Sequence, residues 1–323
     1  MPQAIRIHRT GGPEVFRLED IPVGRPAPGE VRVRQTAVGV NYVDVYHRTG
    51  VYPLALPTGI GVEAAGIVEE VGAGVSHVRP GDRVAYVSGP GSYAAVRIVP
   101  GDRIVRLPDG ITEQTVAGAL LKGLTVHALV RRTHPVKAGE TVLVHAAAGG
   151  VGTIMVQWLK ALGATVIGTV GSDAKAKVAR ANGADHVIVY TREEFPQRVK
   201  EITGGAGVPV VYDSVGKATF EGSLDSLRPL GLMVTFGNAS GTVPPFDVGV
   251  LGRKGSLFLT RPTVFSYVAK REDLERGAAE LFEMIRSGRV KIDVSRTFPL
   301  GEAAEAHRAL EARATTGSLV LLP

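Results

Sequence analysis

The chain has 323 residues, of which 44% are hydrophobic and 21% are charged, and its formal net charge is +6. This length and composition predict a globular protein of two domains and exclude a disordered chain. Cysteine is absent, which excludes disulfides, thiolate nucleophiles and cysteine-ligated zinc.

The distribution of charged and apolar residues argues against several other classes of protein. The basic residues are spread along the chain without interleaved aromatics, so we expect no nucleic-acid partner. The histidines show no metal-binding spacing such as H-E-x-x-H, so we expect no metal site. The N-terminal residues lack the apolar core of a secretory signal, and the weakly polar stretch 141–158 contains a glycine-rich turn. We therefore expect a cytoplasmic protein without a membrane span.

Residues 1 to about 120 combine short β-type runs with frequent glycine and proline. Turn signals at 27–29 and 79–82 separate these runs. The candidate strands are 30–35, 65–70, 82–87 and 93–97. Short strands at this spacing predict a compact β-rich domain.

From about residue 121 the pattern changes to alternating strands and helices, which predicts a doubly wound parallel sheet. The candidate strands are 141–145, 164–169, 186–189, 208–212, 231–236 and 256–260, with helical stretches such as 173–182 between them. The elements predicted after them are a helix near 272–287, a strand near 291–298, a helix near 301–312 and a strand at 318–322. Because the last strand is apolar, we expect it to dock into a sheet and return to the first domain.

The segment 141–162 has the form of a dinucleotide-binding βα unit, with an apolar strand, a turn of small residues and an amphipathic helix. Ala147, Gly149 and Gly152 occupy the small positions of the G-x-G-x-x-G pattern, with alanine in place of the first glycine. Glycine at the second position lets a pyrophosphate approach the backbone, and glycine at the third lets helix and strand pack closely. The N–H groups at the helix start then bind the anion. The residues assigned to this turn are Ala148, Gly149, Gly150 and Val151.

The end of the following strand indicates which dinucleotide binds. An NAD-binding protein places a carboxylate about 20 residues past the last glycine, to hold the ribose 2′-hydroxyl. This chain has Gly171 and Ser172 there, with Lys175 and Lys177 just beyond. Lysines attract a 2′-phosphate, so the sequence favours NADPH. Two alternatives remain: a small register error would bring Asp173 to this position, and the two lysines would otherwise be solvated helix-surface charges.

Seven motifs in order along the chain carry a resemblance to a known family. They are 38–50 (with Asn41, Asp44, Arg48 and Gly50 in an N-x-x-D-x-x-x-R-x-G pattern), 59–66, 121–125, 145–152, 211–216, 236–241 and 260–262. On these motifs the chain resembles the zinc-free quinone oxidoreductases, of the zeta-crystallin type, in the medium-chain dehydrogenase/reductase superfamily. Zinc-containing relatives have histidine where this chain has Val62.

The resemblance implies an α/β protein in which a GroES-like β-rich catalytic domain surrounds a Rossmann domain with a doubly wound parallel sheet. We expect the catalytic domain to comprise 1–123 and 264–323, and the Rossmann domain to comprise 124–263. NADPH would bind in a cleft between the domains and reduce a quinone. The segment 255–260 is apolar and lies near the end of the Rossmann sheet, where an exposed edge is usually covered or paired. In relatives the matching edge pairs with a second copy, so the resemblance implies at least a homodimer through that sheet edge.

The resemblance also implies roles for residues on the acceptor side. Asn41 would contact the cofactor or the acceptor, Tyr46 the cofactor, Tyr52 the acceptor pocket, and Thr125 the nicotinamide half. Each has a structural alternative: a turn residue for Asn41, half-buried aromatics for the tyrosines, and a helix N-terminal hydroxyl for Thr125. We expect structural roles for three other polar residues of these motifs, which are Asp44, Arg48 and Glu63. Asp44 and Arg48 are spaced to pair with each other in a helix.

Further cofactor residues are expected where the later strands of the Rossmann sheet end, since ligands bind at that edge. Ser214 and Val215 are assigned to the adenosine side, and the backbone groups of Phe236, Gly237 and Asn238 to the carboxamide. The 2′-phosphate is assigned to Gly171, Ser172 and Lys175. The resemblance adds Tyr190 near the adenine and Arg313 from the tail.

The sequence carries no Y-x-x-x-K pair and no G-x-S-x-G elbow, which leaves quinone reduction by positioning as the favoured reaction. Two rivals remain open. One is reduction of an activated C=C bond in an enone or enoyl thioester, and the other is a non-catalytic NADPH-binding or RNA-binding protein.

Overall fold

The computed structural model describes residues 1–312 and 315–323, and these form two compact units. Unit 1 comprises Met1–Lys122, Lys270–Arg286 and Ile292–Pro323, and unit 2 comprises Gly123–Ala269 and Ser287–Lys291. The division expected from the sequence differs from this one at Gly123, 264–269 and 287–291, all of which lie in unit 2.

The secondary-structure elements are numbered in chain order within the described residues. The strands are β1 (Gln3–Ile7), β2 (Phe16–Asp20), β3 (Glu30–Val40), β4 (Thr58–Gly59), β5 (Glu63–Val71), β6 (Arg83–Val87), β7 (Val96–Pro100), β8 (Ile104–Arg106), β9 (Thr141–Val144), β10 (Thr165–Val170), β11 (His186–Val189), β12 (Val208–Asp213), β13 (Leu227–Thr235), β14 (Phe258–Thr260), β15 (Val294–Pro299) and β16 (Ser318–Leu322). The helices are α1 (Tyr42–Thr49), α2 (Glu113–Ala117), α3 (Leu120–His127), α4 (Gly150–Ala161), α5 (Asp173–Ala181), α6 (Phe195–Ile202), α7 (Phe220–Asp225), α8 (Gly249–Arg253), α9 (Val264–Tyr267), α10 (Arg271–Arg286) and α11 (Ala303–Glu311).

Unit 1 is built on a sheet of order β15-β16-β3-β5-β6-β8, with β7 also paired to β3, and on a smaller sheet of order β2-β1-β4. β16 runs antiparallel to β3, with Leu319 opposite Val40. The prediction that the final strand returns to the first domain is therefore confirmed. Phe298 and Leu321 from the tail are buried in one cluster with Val33 from β3, so both ends of the chain form this core.

Unit 2 contains a parallel sheet of order β11-β10-β9-β12-β13-β14. The order reverses between β9 and β12, which is the doubly wound arrangement that the sequence predicted. Leu143, Ile167, Val211 and Met233 from successive strands form its buried core. Among the described residues, no helix has the length and hydropathy required to cross a membrane.

Two strands of this sheet begin more than one residue away from the predicted start. β13 begins at Leu227, four residues before the predicted start of 231, because an irregularity in its pairing with β12 lets the strand continue past Pro229. Leu230, in this irregular stretch, has a positive φ of 60°. β14 begins at Phe258, because Ser256 adopts a φ of 55° that ends the extended backbone.

Candidate functional site

The turn between β9 and α4 in unit 2 has the geometry of a dinucleotide cradle. Gly149 is the N-cap of α4, and a glycine cap offers no side-chain acceptor to the first N–H groups of the helix. A β-carbon on Gly152 would lie 2.1 Å from the carbonyl oxygen of Ala146. Only glycine therefore permits this close packing of helix and turn, and Ala146 itself adopts a left-handed φ of 52°.

The four residues assigned to the pyrophosphate surround this helix start. Ala148 is 1% exposed, so its contribution is limited to backbone groups. Gly149, Gly150 and Val151 are half-buried at the first turn of α4. Converging N–H groups at the start of a long helix form a natural anion site, so the residues present fit a dinucleotide pyrophosphate.

The carboxyl end of β10 brings together the residues assigned to the 2′-phosphate. Ser172 is the N-cap of α5, and its hydroxyl accepts from the N–H of Lys175 at 3.4 Å. A β-carbon on Gly171 would lie 2.8 Å from the hydroxyl of Tyr190, so a glycine is required for Tyr190 to lie over this strand end. Tyr190 is 44% exposed, which leaves its ring accessible. Lys177 is exposed, which agrees with the alternative that it is a solvated charge on the helix surface. Lys175 is half-buried.

Asp213, at the end of β12, organises the next part of this edge. Its Oδ1 accepts from the N–H groups of Val215 at 2.7 Å and Gly216 at 3.0 Å. Its Oδ2 accepts from the Ser223 hydroxyl at 3.0 Å. This buried carboxylate holds the loop that carries Ser214 and Val215, the residues assigned to the adenosine side.

A buried histidine supports Asp213 from within the sheet. The Nε2 of His145 lies 2.9 Å from the Ser223 hydroxyl, and its Nδ1 lies 2.8 Å from the Thr169 hydroxyl. Burial lowers the pKa of His145, so the ring is neutral. Because Ser223 donates its proton to Asp213, it is not arranged as a nucleophile. The cluster is structural.

The ends of β12 and β13 meet around Gly237. A β-carbon on Gly237 would lie 2.3 Å from the carbonyl oxygen of Ser214, which explains the glycine. Arg261, just after β14, donates to the carbonyl of Gly237 at 3.0 Å and to the Thr235 hydroxyl at 3.1 Å. The residues assigned to the carboxamide, Phe236, Gly237 and Asn238, therefore lie at the same sheet edge as Ser214.

In unit 1, Asn41 is held from two sides at the start of α1. Its backbone N–H donates to Asp44 Oδ2 at 2.8 Å, and its side-chain Nδ2 donates to Glu63 Oε1 at 2.7 Å. The other Glu63 oxygen accepts from the N–H of Leu121 at 2.7 Å, and Lys122 Nζ lies 3.4 Å from Oε1. Asn41 is thus both a helix cap and an oriented, buried amide, and Glu63 has the structural role expected for it.

Asp44 and Arg48 do not pair in the way that their spacing suggested. Arg48 forms a bidentate ion pair with Glu311 of α11, at 2.9 and 2.8 Å. Asp44 instead accepts from the Tyr93 hydroxyl at 3.0 Å. His307 connects the two groups, with its Nε2 2.9 Å from the Tyr93 hydroxyl and its Nδ1 3.1 Å from Arg48 Nη1. The sequence could not reveal this network because its members lie up to 263 residues apart.

Burial favours the uncharged form of two groups in this network, Asp44 and His307. Burial raises the pKa of Asp44 to about 7, against hydrogen bonds from Asn41 and Tyr93 that lower it. Burial lowers the pKa of His307 to about 3, and the nearby Arg48 acts in the same direction. Because Arg48 donates to Nδ1, the proton of His307 is on Nε2 and the Tyr93 hydroxyl is directed to Asp44.

Aromatic side chains of α1 and the following loop form the remaining part of this region. The rings of Tyr46 and Tyr52 meet edge to face with centroids 5.2 Å apart. Tyr46 is 8% exposed and Tyr52 is 37% exposed, so Tyr52 presents its ring to solvent. His47 contacts Tyr52 at 6.1 Å between centroids. This is an accessible aromatic surface of the kind that stacks on a flat ligand.

Thr125 lies in unit 2, where it is the sixth residue of α3 and half-buried. The alternative that its hydroxyl caps the start of a helix is wrong, because the cap positions of α3 lie before it. A role for Thr125 towards the nicotinamide half stays a prediction.

Comparison with known proteins places this geometry in a family. Residues 27–109 match the family described as alcohol dehydrogenase GroES-like domain, and residues 150–283 match the family described as zinc-binding dehydrogenase. The chain is 50% identical to the quinone oxidoreductase of Pseudomonas aeruginosa, over 100% of both chains. The chain belongs to the quinone oxidoreductase family. The resemblance seen in the sequence is thereby confirmed, together with the GroES-like and Rossmann domain pair.

The chain is also similar to one solved structure and to one relative of different activity. The crystal structure of Escherichia coli quinone oxidoreductase complexed with NADPH matches with a TM-score of 0.98 and 48% identity, covering 99% of this chain and 100% of that chain. A 2-haloacrylate reductase of a Burkholderia species is 47% identical, over 100% of this chain and 99% of its own length.

One matched family description names zinc, and the donor groups of this chain do not fit that metal. The chain has no cysteine. Within residues 1–312 and 315–323, no group of three histidine or carboxylate side chains is placed to hold a metal ion. Glu63, beside Val62 where zinc relatives have histidine, has its oxygens occupied by Asn41, Leu121 and Lys122.

Several residues that position the site were missed in the sequence. They are His145, Arg192, Asp213, Ser223, Arg261, His307 and Glu311. Asp213 and Arg261 carry a usable signal, since each directly follows or ends an apolar strand of a parallel sheet. Arg313, assigned to the cofactor from the resemblance, lies outside the described residues.

Proposed function

We propose that this protein is an NADPH-dependent quinone oxidoreductase that works without a metal ion. The observation that carries the proposal is the agreement, at a TM-score of 0.98 and 48% identity, with a quinone oxidoreductase solved with NADPH. In this proposal residues 124–263 bind the cofactor, and residues 1–123 with 264–323 carry most of the acceptor side.

The cofactor assignment follows the edge of the unit 2 sheet. The start of α4 binds the pyrophosphate, because its N–H groups and the glycine turn form an anion cradle. The carboxyl end of β10, called the β10 edge below, receives the 2′-phosphate and adenine. Lys175 supplies positive charge there, and Tyr190 supplies an accessible ring. The remaining residues assigned to NADPH are Ala148, Gly149, Gly150, Val151, Gly171, Ser172, Ser214, Val215, Phe236, Gly237 and Asn238, with Arg313 from the resemblance.

The chemistry requires little more than positioning. NADPH, when bound, supplies the electrons from its nicotinamide C4. A quinone is already a strong acceptor, and its reduced oxygens are stabilised phenolates that water or a tyrosine hydroxyl protonates. Asn41 is oriented by Glu63 to hold the reacting groups, with Thr125 on the nicotinamide half, and Tyr46 and Tyr52 provide the aromatic surface for the flat acceptor.

The test is NADPH oxidation with several acceptors. We expect turnover with 1,4-benzoquinone and 9,10-phenanthrenequinone. 2-Chloroacrylate and a simple enone are included because a 2-haloacrylate reductase is 47% identical to this chain. If the protein turns over these C=C acceptors and neither quinone, the proposed activity is wrong and the protein is a C=C reductase. If the protein binds NADPH tightly but turns over none of these acceptors, the proposal that it is an enzyme is wrong.

Two variants separate the acceptor side from the cofactor side. Tyr52→Ala removes part of the accessible aromatic surface, so it should raise the quinone KM by roughly tenfold while the NADPH Kd is unchanged. Tyr190→Ala should weaken NADPH binding and leave the quinone KM unchanged. The opposite pattern would contradict the assignment of the two residues.

The proposal includes a homodimer in the cytoplasm. β14 stands at one end of the unit 2 sheet, and Phe258 on it is 60% exposed. An apolar edge strand of this kind is usually covered or paired, and a second copy of the chain would do both. Phe258→Lys should shift the sedimentation coefficient from dimer to monomer; a monomeric unsubstituted protein would refute the dimer. Cell fractionation tests the location.

A further inference from the structure

The edge where β10 and β11 end carries a carboxylate that conflicts with NADPH binding. Asp173 is the first residue of α5, directly after Ser172, and its side chain is exposed. NAD-binding sheets use a carboxylate at the end of their second strand to accept the ribose 2′-hydroxyl. The same carboxylate repels a 2′-phosphate, which carries a charge of about −1.5 to −2.

Arg192 pairs with this carboxylate through both of its oxygens. Nη1 donates to Asp173 Oδ2 at 2.8 Å, and Nη2 donates to Oδ1. A bidentate arginine–carboxylate pair is stronger and better oriented than a single contact. The hydrogen bonds from Arg192 also lower the pKa of Asp173, so the carboxylate is ionised and neutralised by its partner.

The backbone after β11 brings Arg192 to this edge. β10 and β11 pair in parallel, with Val170 opposite Val189. The N–H groups of Arg192 and Glu193 both donate to the carbonyl of Val189 at 3.1 Å, so the chain turns directly after the strand. Glu193 is engaged elsewhere, since its Oε1 accepts from the N–H of Val189 at 2.9 Å and its Oε2 lies 3.2 Å from Arg198.

We propose that Arg192 is a specificity-determining residue, which selects NADPH by cancelling the charge of Asp173. This inference rests on the proposed function, in which the β10 edge receives the 2′-phosphate. With the pair intact, Lys175 gives the edge a net positive charge. Without Arg192, Asp173 opposes Lys175 and restores the carboxylate that favours NADH.

The test is a double-mutant cycle on equilibrium cofactor binding, measured by titration of cofactor fluorescence without an acceptor. Arg192→Gln should weaken NADPH by about five- to tenfold while NADH is unchanged or tighter, as expected for one like-charge contact at an exposed site. Asp173→Asn should bind NADPH at least as tightly as the unsubstituted protein, because Arg192 is then an uncompensated cation at this strand end. The double variant should recover the NADPH affinity that Arg192→Gln loses, and the loss should shrink at high salt.

Arg253→Gln is the matched control. Arg253 pairs with Asp247 at 2.9 Å, and both side chains are about as exposed as Arg192 and Asp173. Its loss removes the same charge from unit 2 without touching the β10 edge, so the ratio of NADPH to NADH affinity should not change.

Each contrary outcome has a separate meaning. An unchanged affinity ratio in Arg192→Gln overturns the inference. A double variant that stays weak also overturns it, because Arg192 would then act on the phosphate and not through Asp173. If the unsubstituted protein binds NADH as tightly as NADPH, the cofactor of the proposed function fails instead.

Discussion

Glu63 accepts a hydrogen bond from the side-chain amide of Asn41 at 2.7 Å, and both groups are buried. Glu63 also accepts from the N–H of Leu121 and lies 3.4 Å from Lys122. One carboxylate therefore fixes the amide that we assign to the reaction and neutralises a buried ammonium group.

Glu63→Gln should lower both stability and activity. It leaves Lys122 buried without its anion, which costs about 3 kcal/mol in the free energy of unfolding. The glutamine amide N–H also replaces one carboxylate oxygen that accepts from Asn41 or Leu121, so two donors face each other. Asn41 then loses its fixed orientation, and kcat falls. Urea unfolding and steady-state kinetics measure the two effects. Glu69→Gln, which removes a more exposed partner of Arg32, is the control and should change neither by a comparable amount.

The pKa shifts of Asp44 and His307 predict two opposite pH dependences of stability, which cancel in the unsubstituted protein over part of the pH range. The pKa of Asp44 is raised from 3.8 to about 7, so the folded protein holds a proton that the unfolded chain releases, and stability falls as pH rises through this window. The pKa of His307 is lowered from 6.5 to about 3, so the unfolded chain holds a proton that the folded protein lacks, and stability falls as pH drops below 6.5. Between about pH 4 and 6.5 the two slopes cancel, because folding moves no net proton.

Single variants should separate these slopes. Relative to the unsubstituted protein, Asp44→Asn should gain stability with rising pH, by about 1.4 kcal/mol per pH unit between pH 4 and 6.5. His307→Gln should lose stability at a similar rate over the same range. Chemical unfolding at several pH values measures both, and the difference at each pH removes the contribution of all other groups. Parallel curves for the two variants would contradict these pKa shifts.

Gly152→Ala should disrupt the dinucleotide cradle. Its β-carbon would lie 2.1 Å from the carbonyl oxygen of Ala146, so α4 must move away from the turn. We expect the NADPH Kd to rise by at least about tenfold, measured by isothermal titration calorimetry. Gly252→Ala is the control, because nothing lies within 4 Å of its β-carbon position in α8. It should leave binding unchanged and alter stability by under about 1 kcal/mol.

Asp213→Asn tests the loop that carries Ser214 and Val215. Both carboxylate oxygens accept hydrogen bonds, from Gly216 on one and Ser223 on the other, whereas an amide has a single oxygen. The substitution should therefore lower the free energy of unfolding by roughly 2 kcal/mol. The NADPH Kd should rise while the quinone KM stays constant. Asp225→Asn, which alters a more exposed pair with Lys254, should show no change in Kd. A Kd unaffected in Asp213→Asn would show that the loop does not bind cofactor.

Local patterns predicted the elements of the parallel sheet closely. β11 has the predicted bounds of 186–189, and β10 begins one residue later than expected, because runs rich in valine, isoleucine and threonine favour extended backbone. β13 was mistaken at its start because Pro229 and Gly231 are strand breakers locally, whereas pairing with β12 carries the strand through them.

The sequence alone determined the dinucleotide motif, the exclusion of cysteine-ligated zinc and the order of the family motifs, since each depends on residue identity at short spacing. The tertiary structure decided which charged groups meet. Arg48 pairs with Glu311 rather than Asp44, and Arg192 meets Asp173 across two strands. Long side chains reach partners that chain topology brings together, and spacing along the sequence contains no record of that topology.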